Sequence, residues 1–348
     1  MRGVTFLGQR KLELMEFPDP SPGPHDVVIE IKASGMCGSD LKFYRASGET
    51  SSLGLGKVSG PVIAGHEPCG VVAAVGSAVD PRTARAGARV MVHHYSGCGV
   101  CPHCRGGWAQ MCVEGSTVYG VTGHGAHAPY MKVPAHTLVA LPDELSFATG
   151  AAISCGTGTA YQALRRMNVA GGDTVAIVGQ GPVGLSATQL AVAMGARVIA
   201  LDISTERLKR AEEFGAEAVI DPKAGDAVAQ IRALTHGLGA DKTLDTSGTA
   251  DGRLIAVRGA RAWGTACFVG EGGDVTIDVS PQMLRKQLTI IGSWTFSTNI
   301  QADCARLVAD NDIEVEHLFT DRWRLEQAAP AYELFDRQTG GKGVFLMG

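Results

Sequence analysis

The chain has 348 residues, 45% of them hydrophobic and 19% charged, with a formal net charge of −4. This describes about two ordinary globular domains, with no electrostatic case for a nucleic-acid or anionic-membrane partner. No run of about 18 apolar residues occurs, and the opening MRGVTFLGQRKLELMEF breaks its apolar residues with charges, so neither a membrane span nor a secretory signal is expected.

Short strand-like runs bounded by Gly, Pro and Asp occupy the first 140 or so residues, at 26–35, 69–76, 88–94 and 128–134. Gly at 46 of 348 is nearly twice the usual share of about 7% and predicts many tight turns. From about 147 helices alternate with apolar strands. A partly helical stretch covers 148–167, a buried strand 173–179, and a helix 182–194 that Gly195 ends. A strand follows at 196–202, then a helix capped by Ser204 and closed by Gly215. Further strands are read at 218–221, 242–247, 262–270 and 288–293. Helices near 299–310 and 325–337 precede a closing strand at 343–348. Such alternation predicts a doubly wound parallel sheet.

Four cysteines, Cys98, Cys101, Cys104 and Cys112, are spaced C-x2-C-x2-C-x7-C. Four thiolates this close in sequence suit one tetrahedral Zn²⁺, in a lobe at about 93–113 that stabilises the fold and does no chemistry. The competing readings are disulfides or a redox-active C-x-x-C. His103, in the same loop, reads as a solvated residue. Nine cysteines in all, four of them clustered, suggest a reducing cytoplasm.

Gly179-Gln180-Gly181-Pro182-Val183-Gly184 follows an apolar strand and opens a helix, the context in which G-x-G-x-x-G marks a dinucleotide site. The next strand ends in Asp202, 23 residues after Gly179, where a carboxylate accepts from the ribose hydroxyls and repels a 2′-phosphate. NAD is therefore expected over NADP. Arg207 either pairs with a neighbouring acid or accommodates a phosphate. Separately, Cys37, His66 and Cys155 form a Cys2His set that with one open position matches a catalytic zinc. Read singly, they are equally two buried thiols and a loop histidine.

Taken together, Gly35-MCGSD, Gly65-HE, Cys98-GVCPHC with Cys112, Cys155 and Gly179-QGPVG resemble the medium-chain zinc-dependent alcohol dehydrogenase family, over essentially the whole chain. The resemblance implies an α/β protein in which a Rossmann doubly wound parallel sheet domain joins a GroES-like β-rich catalytic domain. It places the GroES-like part at 1–149, the NAD-binding part at 150–290, and a return to the catalytic domain at 291–348. It implies two zinc ions per subunit, one structural and one catalytic, with Cys37, His66 and Cys155 as catalytic ligands. Glu67 is then either the adjacent acid that tunes the metal or a ligand in place of Cys155. Asp40 would orient His66, Ser39 would be the first proton relay, and Thr159 would lie beside the nicotinamide or be a helix-surface hydroxyl. Where many relatives continue the relay with a histidine, this chain has Lys42. Phe43, Tyr44, Trp294 and Phe296 read either as lining of an apolar substrate cleft or as core residues, and 46–60 as the rim of that cleft or as a surface loop.

The activity implied is hydride transfer between a primary or secondary alcohol and NAD, giving an aldehyde or ketone. The alternatives are a polyol, sugar-alcohol or threonine-type dehydrogenase of the same fold, and a non-catalytic NAD(H)-binding zinc protein. The partner is a small-molecule alcohol or carbonyl compound. A homodimer or homotetramer is expected, its final Rossmann strands pairing across subunits.

Overall fold

A computed structural model describes residues 1–47, 60–337 and 341–348. Most of the expected 46–60 rim therefore lies outside the described residues. Backbone contacts divide the chain into two units, Met1–Gly158 with Phe296–Gly348, and Thr159–Thr295.

In the first unit a seven-stranded sheet is built around Asp26–Gly35, whose neighbours are Glu67–Val75 and Lys342–Leu346, with Tyr130–Pro134 also paired to it. Arg89–Val92 and Leu138–Ala140 extend one side, and Phe319–Trp323 lies parallel to Lys342–Leu346 on the other. Val27, Ile29, Ile31, Val72, Val92 and Met131 bury their side chains in one core. A second core joins Val4, Met36, Leu41 and Tyr44 to Tyr332 and Phe345 near the other end of the chain. The N-terminal stretch that interleaves charge with apolar residues is a hairpin, Arg2–Gly8 with Lys11–Glu16. Its alternation is that of strands with one covered face.

The second unit carries six parallel strands in the order Ala218–Ile220, Arg197–Leu201, Thr174–Val178, Ala240–Asp245, Ala260–Phe268, Thr289–Gly292. Chain order reverses beside Thr174–Val178, so the switch point of this doubly wound sheet lies at the carboxyl end of that strand. Val175, Ala176 and Ile177 are fully buried, as a sheet covered on both faces requires. The chain passes between the units in a helical run, Phe147–Ala152, Ile153–Thr157 and Gly158–Arg166, whose middle section is a π-type turn containing Cys155. Such widened turns are frequent at functional sites. Among the described residues no helix is long and apolar enough to cross a membrane.

The fingerprint glycines show three different needs. Gly179 has φ +93°, a conformation that suits glycine, and a Cβ on Gly181 would meet nothing. A Cβ on Gly184 would fall on the Gly179 carbonyl oxygen, because here the helix Pro182–Ala193 crosses its own approach strand. Gly184→Ala must therefore push the helix off the loop. It is expected to lower stability by about 1–3 kcal/mol, read as the unfolding midpoint by calorimetry. An unchanged midpoint would show that the loop absorbs the methyl group freely.

Candidate metal centres and cofactor site

Cys98, Cys101, Cys104 and Cys112 converge, each offering a sulfur within 4.8 Å of the others. The short helix Pro102–Arg105 and the 3-10 turn Ala109–Met111 bring them together. Backbone amides point at the sulfurs: Cys98 N donates to Cys112 Sγ at 3.2 Å, Cys101 N to Cys98 Sγ at 3.4 Å, and Cys104 N to Cys101 Sγ at 3.5 Å. The amide of Cys104 leads in drawing the Cys101 thiol down to about 6. Burial drives Cys104 the other way, to about 12, a bias that a bound dication reverses. All nine cysteines are free thiols, and His103 is exposed. The donor set is that of a closed structural zinc site.

The second cluster is Cys37, His66, Glu67 and Cys155, again with one ligand atom of each within 4.8 Å of the rest. Cys37 follows the central strand Asp26–Gly35, His66 and Glu67 stand where the neighbouring strand Glu67–Val75 begins, and Cys155 comes from the π-type turn. Cys37 Sγ and Cys155 Sγ are 3.8 Å apart. That is far too long for a disulfide at about 2.05 Å. Two thiolates sharing one tetrahedral zinc at about 2.3 Å each stand about 3.8 Å apart. Proximity to Cys155 leads in lowering the Cys37 thiol well below its ordinary value, and the same contact raises Cys155. Glu67 Oε2 is buried without a hydrogen-bond partner, which fits an oxygen donor to a cation.

Asp40 fixes His66: its Oδ1 lies 2.8 Å from His66 Nδ1, which leaves Nε2 for the metal. Ser39 Oγ is 3.1 Å from His66 Nε2 and 3.3 Å from Cys37 Sγ, directly against the cluster. Lys42, on the helix Asp40–Arg45, is exposed.

Three neighbours of the cluster escaped the reading of the sequence. Lys342 Nζ, 2% exposed, reaches from the last strand to Glu67 Oε1 at 2.6 Å and the Met36 carbonyl at 2.9 Å. Burial, offset only in part by that ammonium, pushes the Glu67 carboxyl up to about 8, and a dication held in the cluster would favour its ionised form. A lone lysine near the end of a chain gives no sequence signal of this kind. His94 is 2% exposed, its ring 5.1 Å from that of His66, with Nδ1 3.0 Å from the Ser154 carbonyl. Burial, then the neighbouring His66, depresses it well below the usual imidazole range, so it is neutral. His93, fully buried beside it, packs edge-on against Phe296.

The four candidate pocket aromatics part company. Phe43 and Tyr44 are buried, Tyr44 between Phe6 and Tyr332 in the core, because the helix Asp40–Arg45 turns that face inward. Phe296 is fully buried against His93 and His94. Trp294 is 43% exposed and donates to Glu271 Oε1 at 2.6 Å.

In the parallel-sheet unit, Gly181 caps the helix Pro182–Ala193 with no side-chain hydrogen bond. Pro182 has no N–H, and the amides of Val183 and Gly184 have no intrahelical acceptor at the positive end of a helix of 12 residues, a fit for a pyrophosphate. Asp202, 7% exposed, accepts from Gln180 N at 2.6 Å and from Ser204 N at 2.8 Å, which ties it to the fingerprint loop. Arg207 Nη1 lies 3.9 Å from Asp202 Oδ2. Thr159 is half-buried in the helix Gly158–Arg166.

The alcohol dehydrogenase GroES-like domain model matches residues 23–143, and the zinc-binding dehydrogenase model matches 182–310. The zinc-type alcohol dehydrogenase-like protein YphC of Escherichia coli strain K12 is 41% identical over 99% of this chain and 98% of its own. The sorbitol dehydrogenase of Bacillus subtilis strain 168 is 30% identical over 96% and 93%. Among solved structures, alcohol dehydrogenase TADH from Thermus sp. ATN1 superposes with a TM-score of 0.89 at 30% identity, over 99% of each chain. The chain belongs to the medium-chain zinc-type alcohol dehydrogenase family. It is a zinc-binding, NAD(H)-dependent oxidoreductase with a GroES-like unit and a Rossmann unit, as its motifs led one to expect.

The two metal centres share no ligand, so they separate experimentally. Cys98→Ser is expected to reduce the zinc content from about two to about one per chain and to lower the unfolding midpoint by at least about 5 °C, from several kcal/mol of lost metal-linked stability. Metal analysis and calorimetry on the same sample check it. Two zincs and a normal midpoint would contradict the structural assignment.

Proposed function

We propose that the chain oxidises a secondary hydroxyl of a polyol or sugar alcohol with NAD, giving a ketone, and runs the reverse reduction. The observation that carries this reading is His94. Its Nδ1 is engaged by the Ser154 carbonyl, so Nε2 is an acceptor. Among the described residues Nε2 has no partner, and it is not one of the sealed-off atoms. An acceptor beside a metal ligand, left dry by an alkyl group, costs about 1–3 kcal/mol. A hydroxyl on the carbon next to the reacting one supplies the donor. The likeness to a sorbitol dehydrogenase points the same way.

In this reading Cys37, His66 and Cys155, with Glu67 in reach, would hold zinc, and Val183 and Gly184 would hold the NAD pyrophosphate. When bound, zinc lowers the pKa of a coordinated alcohol and NAD accepts the hydride. Ser39, whose Oγ lies against both His66 and Cys37, would relay the hydroxyl proton, accepting it as its own proton passes on to water. Asp40 keeps His66 in the tautomer that offers Nε2. Asp202 reads the ribose hydroxyls, and Arg207 stays paired with it rather than with a phosphate. Thr159 flanks the nicotinamide. The exposed-edge strand Thr289–Gly292 is where two subunits of a cytoplasmic homo-oligomer join their sheets. The rival reading, a simple primary or secondary alcohol, draws on Cys155 as third ligand and on the likeness to TADH.

A panel of sorbitol, xylitol and threonine against ethanol, 2-butanol and benzyl alcohol separates the two. The best polyol should exceed the best simple alcohol at least about 10-fold in kcat/KM. His94→Phe should cut the polyol value about 10- to 100-fold and leave 2-butanol nearly unchanged. Preference for the simple alcohols in the wild type would sink the polyol assignment. Asp202→Gly should reduce the NAD-to-NADP ratio of kcat/KM by about 10-fold or more, measured with whichever alcohol is best. A constant ratio would mean another group reads the ribose.

A further inference from the structure

His66 is the end of a buried chain of polar groups that runs away from the metal cluster. Asp40 is 1% exposed and lies 2.8 Å through Oδ1 from His66 Nδ1. Its Oδ2 accepts from Cys37 N at 2.9 Å and from the Tyr332 hydroxyl at 3.0 Å. Tyr332, fully buried on the helix Ala328–Asp336, lies 2.7 Å from His127 Nε2. His127, also fully buried, has Nδ1 at 2.8 Å from Ser34 Oγ. Ser34 belongs to the central strand Asp26–Gly35, which leads into Cys37, so the far end of the chain lies three residues before a second residue of the cluster.

The donors and acceptors in this chain can be assigned without ambiguity. A carboxylate only accepts, so the Tyr332 phenol donates to Asp40. Its oxygen is then free to accept, and the proton between it and His127 sits on His127 Nε2. A neutral imidazole has one N–H, so His127 Nδ1 is the acceptor and Ser34 donates to it. Burial pushes His127 down to about 4 and keeps the Tyr332 phenol well above its ordinary value, so both are neutral. At the other end the same logic puts the proton of His66 on Nδ1. The backbone enforces the geometry. Gly65 has φ +90°, and a Cβ there would fall on His127 Nδ1, so the loop carrying His66 is seated directly on the His127 ring.

We propose that Ser34, His127 and Tyr332 are positioning residues that orient Asp40, and through it lock His66 in the Nδ1–H tautomer and hold Cys37 in place for metal. The proposal rests on the reading of Cys37, His66 and Cys155 as a zinc site. It goes beyond the Asp40–His66 pair in assigning a direction to every hydrogen bond from the C-terminal helix to the metal ligand. Removing the Tyr332 hydroxyl leaves Asp40 with one donor fewer and His127 Nε2–H facing a void. Loss of such an outer partner typically lowers metal affinity about 10- to 100-fold.

The test uses full-length protein carrying both metals. Chelator titration, with zinc counted after each step, is run on wild type, Tyr332→Phe, His127→Leu and His127→Gln. Tyr332→Phe and His127→Leu should release one zinc at about 10-fold lower chelator, while the four-cysteine zinc is held as in wild type. His127→Gln, whose side-chain amide can donate to Tyr332 and accept from Ser34, should restore the wild-type curve. Proton spectra of the zinc-loaded protein should show the His66 Nδ1–H, which faces Asp40, as a sharp, exchange-protected resonance in wild type and as a broadened, faster-exchanging one in Tyr332→Phe. Wild-type release curves in both Tyr332→Phe and His127→Leu, or an unchanged His66 Nδ1–H resonance in Tyr332→Phe, would overturn the proposal. Should Tyr332→Phe fail to fold, Ser34→Ala probes the far end, with a release shift of about 3-fold in support and none against, as one neutral hydrogen bond contributes about 0.5–1.5 kcal/mol. A wild type that binds only one zinc would instead sink the zinc-site reading itself.

Discussion

Burial of charge without water is the constraint that shapes the first unit. Asp40 and Glu67 are 1% and 0% exposed, and the Cys37 thiol is drawn toward its anion in the same cluster. Lys342 is the ammonium that meets them, at 2.6 Å from Glu67. Removing one partner of such a buried pair typically costs about 3–5 kcal/mol. One ammonium does not balance several anions in a medium that screens poorly, and a dication among Cys37, His66, Glu67 and Cys155 does. The same requirement explains why the last strand returns to the central sheet, since Lys342 must arrive beside Glu67. It also explains why Gly35 stands opposite Glu67, where a Cβ would fall on the carboxylate oxygen.

The two metal centres answer different demands with the same atoms. Around Cys98–Cys112 every visible feature closes the site: four sulfurs, three amide-to-sulfur hydrogen bonds, and a connecting segment too short to wander. Around Cys37 the ligands come from segments far apart in the chain, and the hydroxyl of Ser39 and the ring of His94 stand next to them. A closed tetrahedron stabilises, whereas three protein ligands with polar neighbours leave a coordination position for chemistry. The ring of His94 stands beside His66, while Tyr44 packs against Tyr332 in the core.

Much of this architecture was legible in the chain. The strand at 26–35, the fingerprint turn, the Ser204 cap and the parallel-strand series sit where propensity and periodicity put them, because each depends on neighbours within a few residues. The N-terminal hairpin went unread because its alternating charges mask a strand with one covered face. Whether Phe43 and Tyr44 belong to a cleft or to the core was open in the sequence for a related reason: a short helix has two faces, and composition does not say which one turns inward.

What the sequence by itself determined is whatever a few neighbouring residues can do together: the four-cysteine zinc lobe, the tight strand-to-helix turn of Gly179, Gly181 and Gly184, and the alternation that makes a Rossmann sheet. Only the tertiary structure decided that Cys37, His66 and Cys155 meet, that Lys342 neutralises Glu67, and that a hydrogen-bonded chain from Ser34 through Tyr332 ends on His66. The reason is physical. Which side chains face one another across a sheet is set by strand register and by the return of a distant segment, and a one-residue slip would turn every one of them to the opposite face.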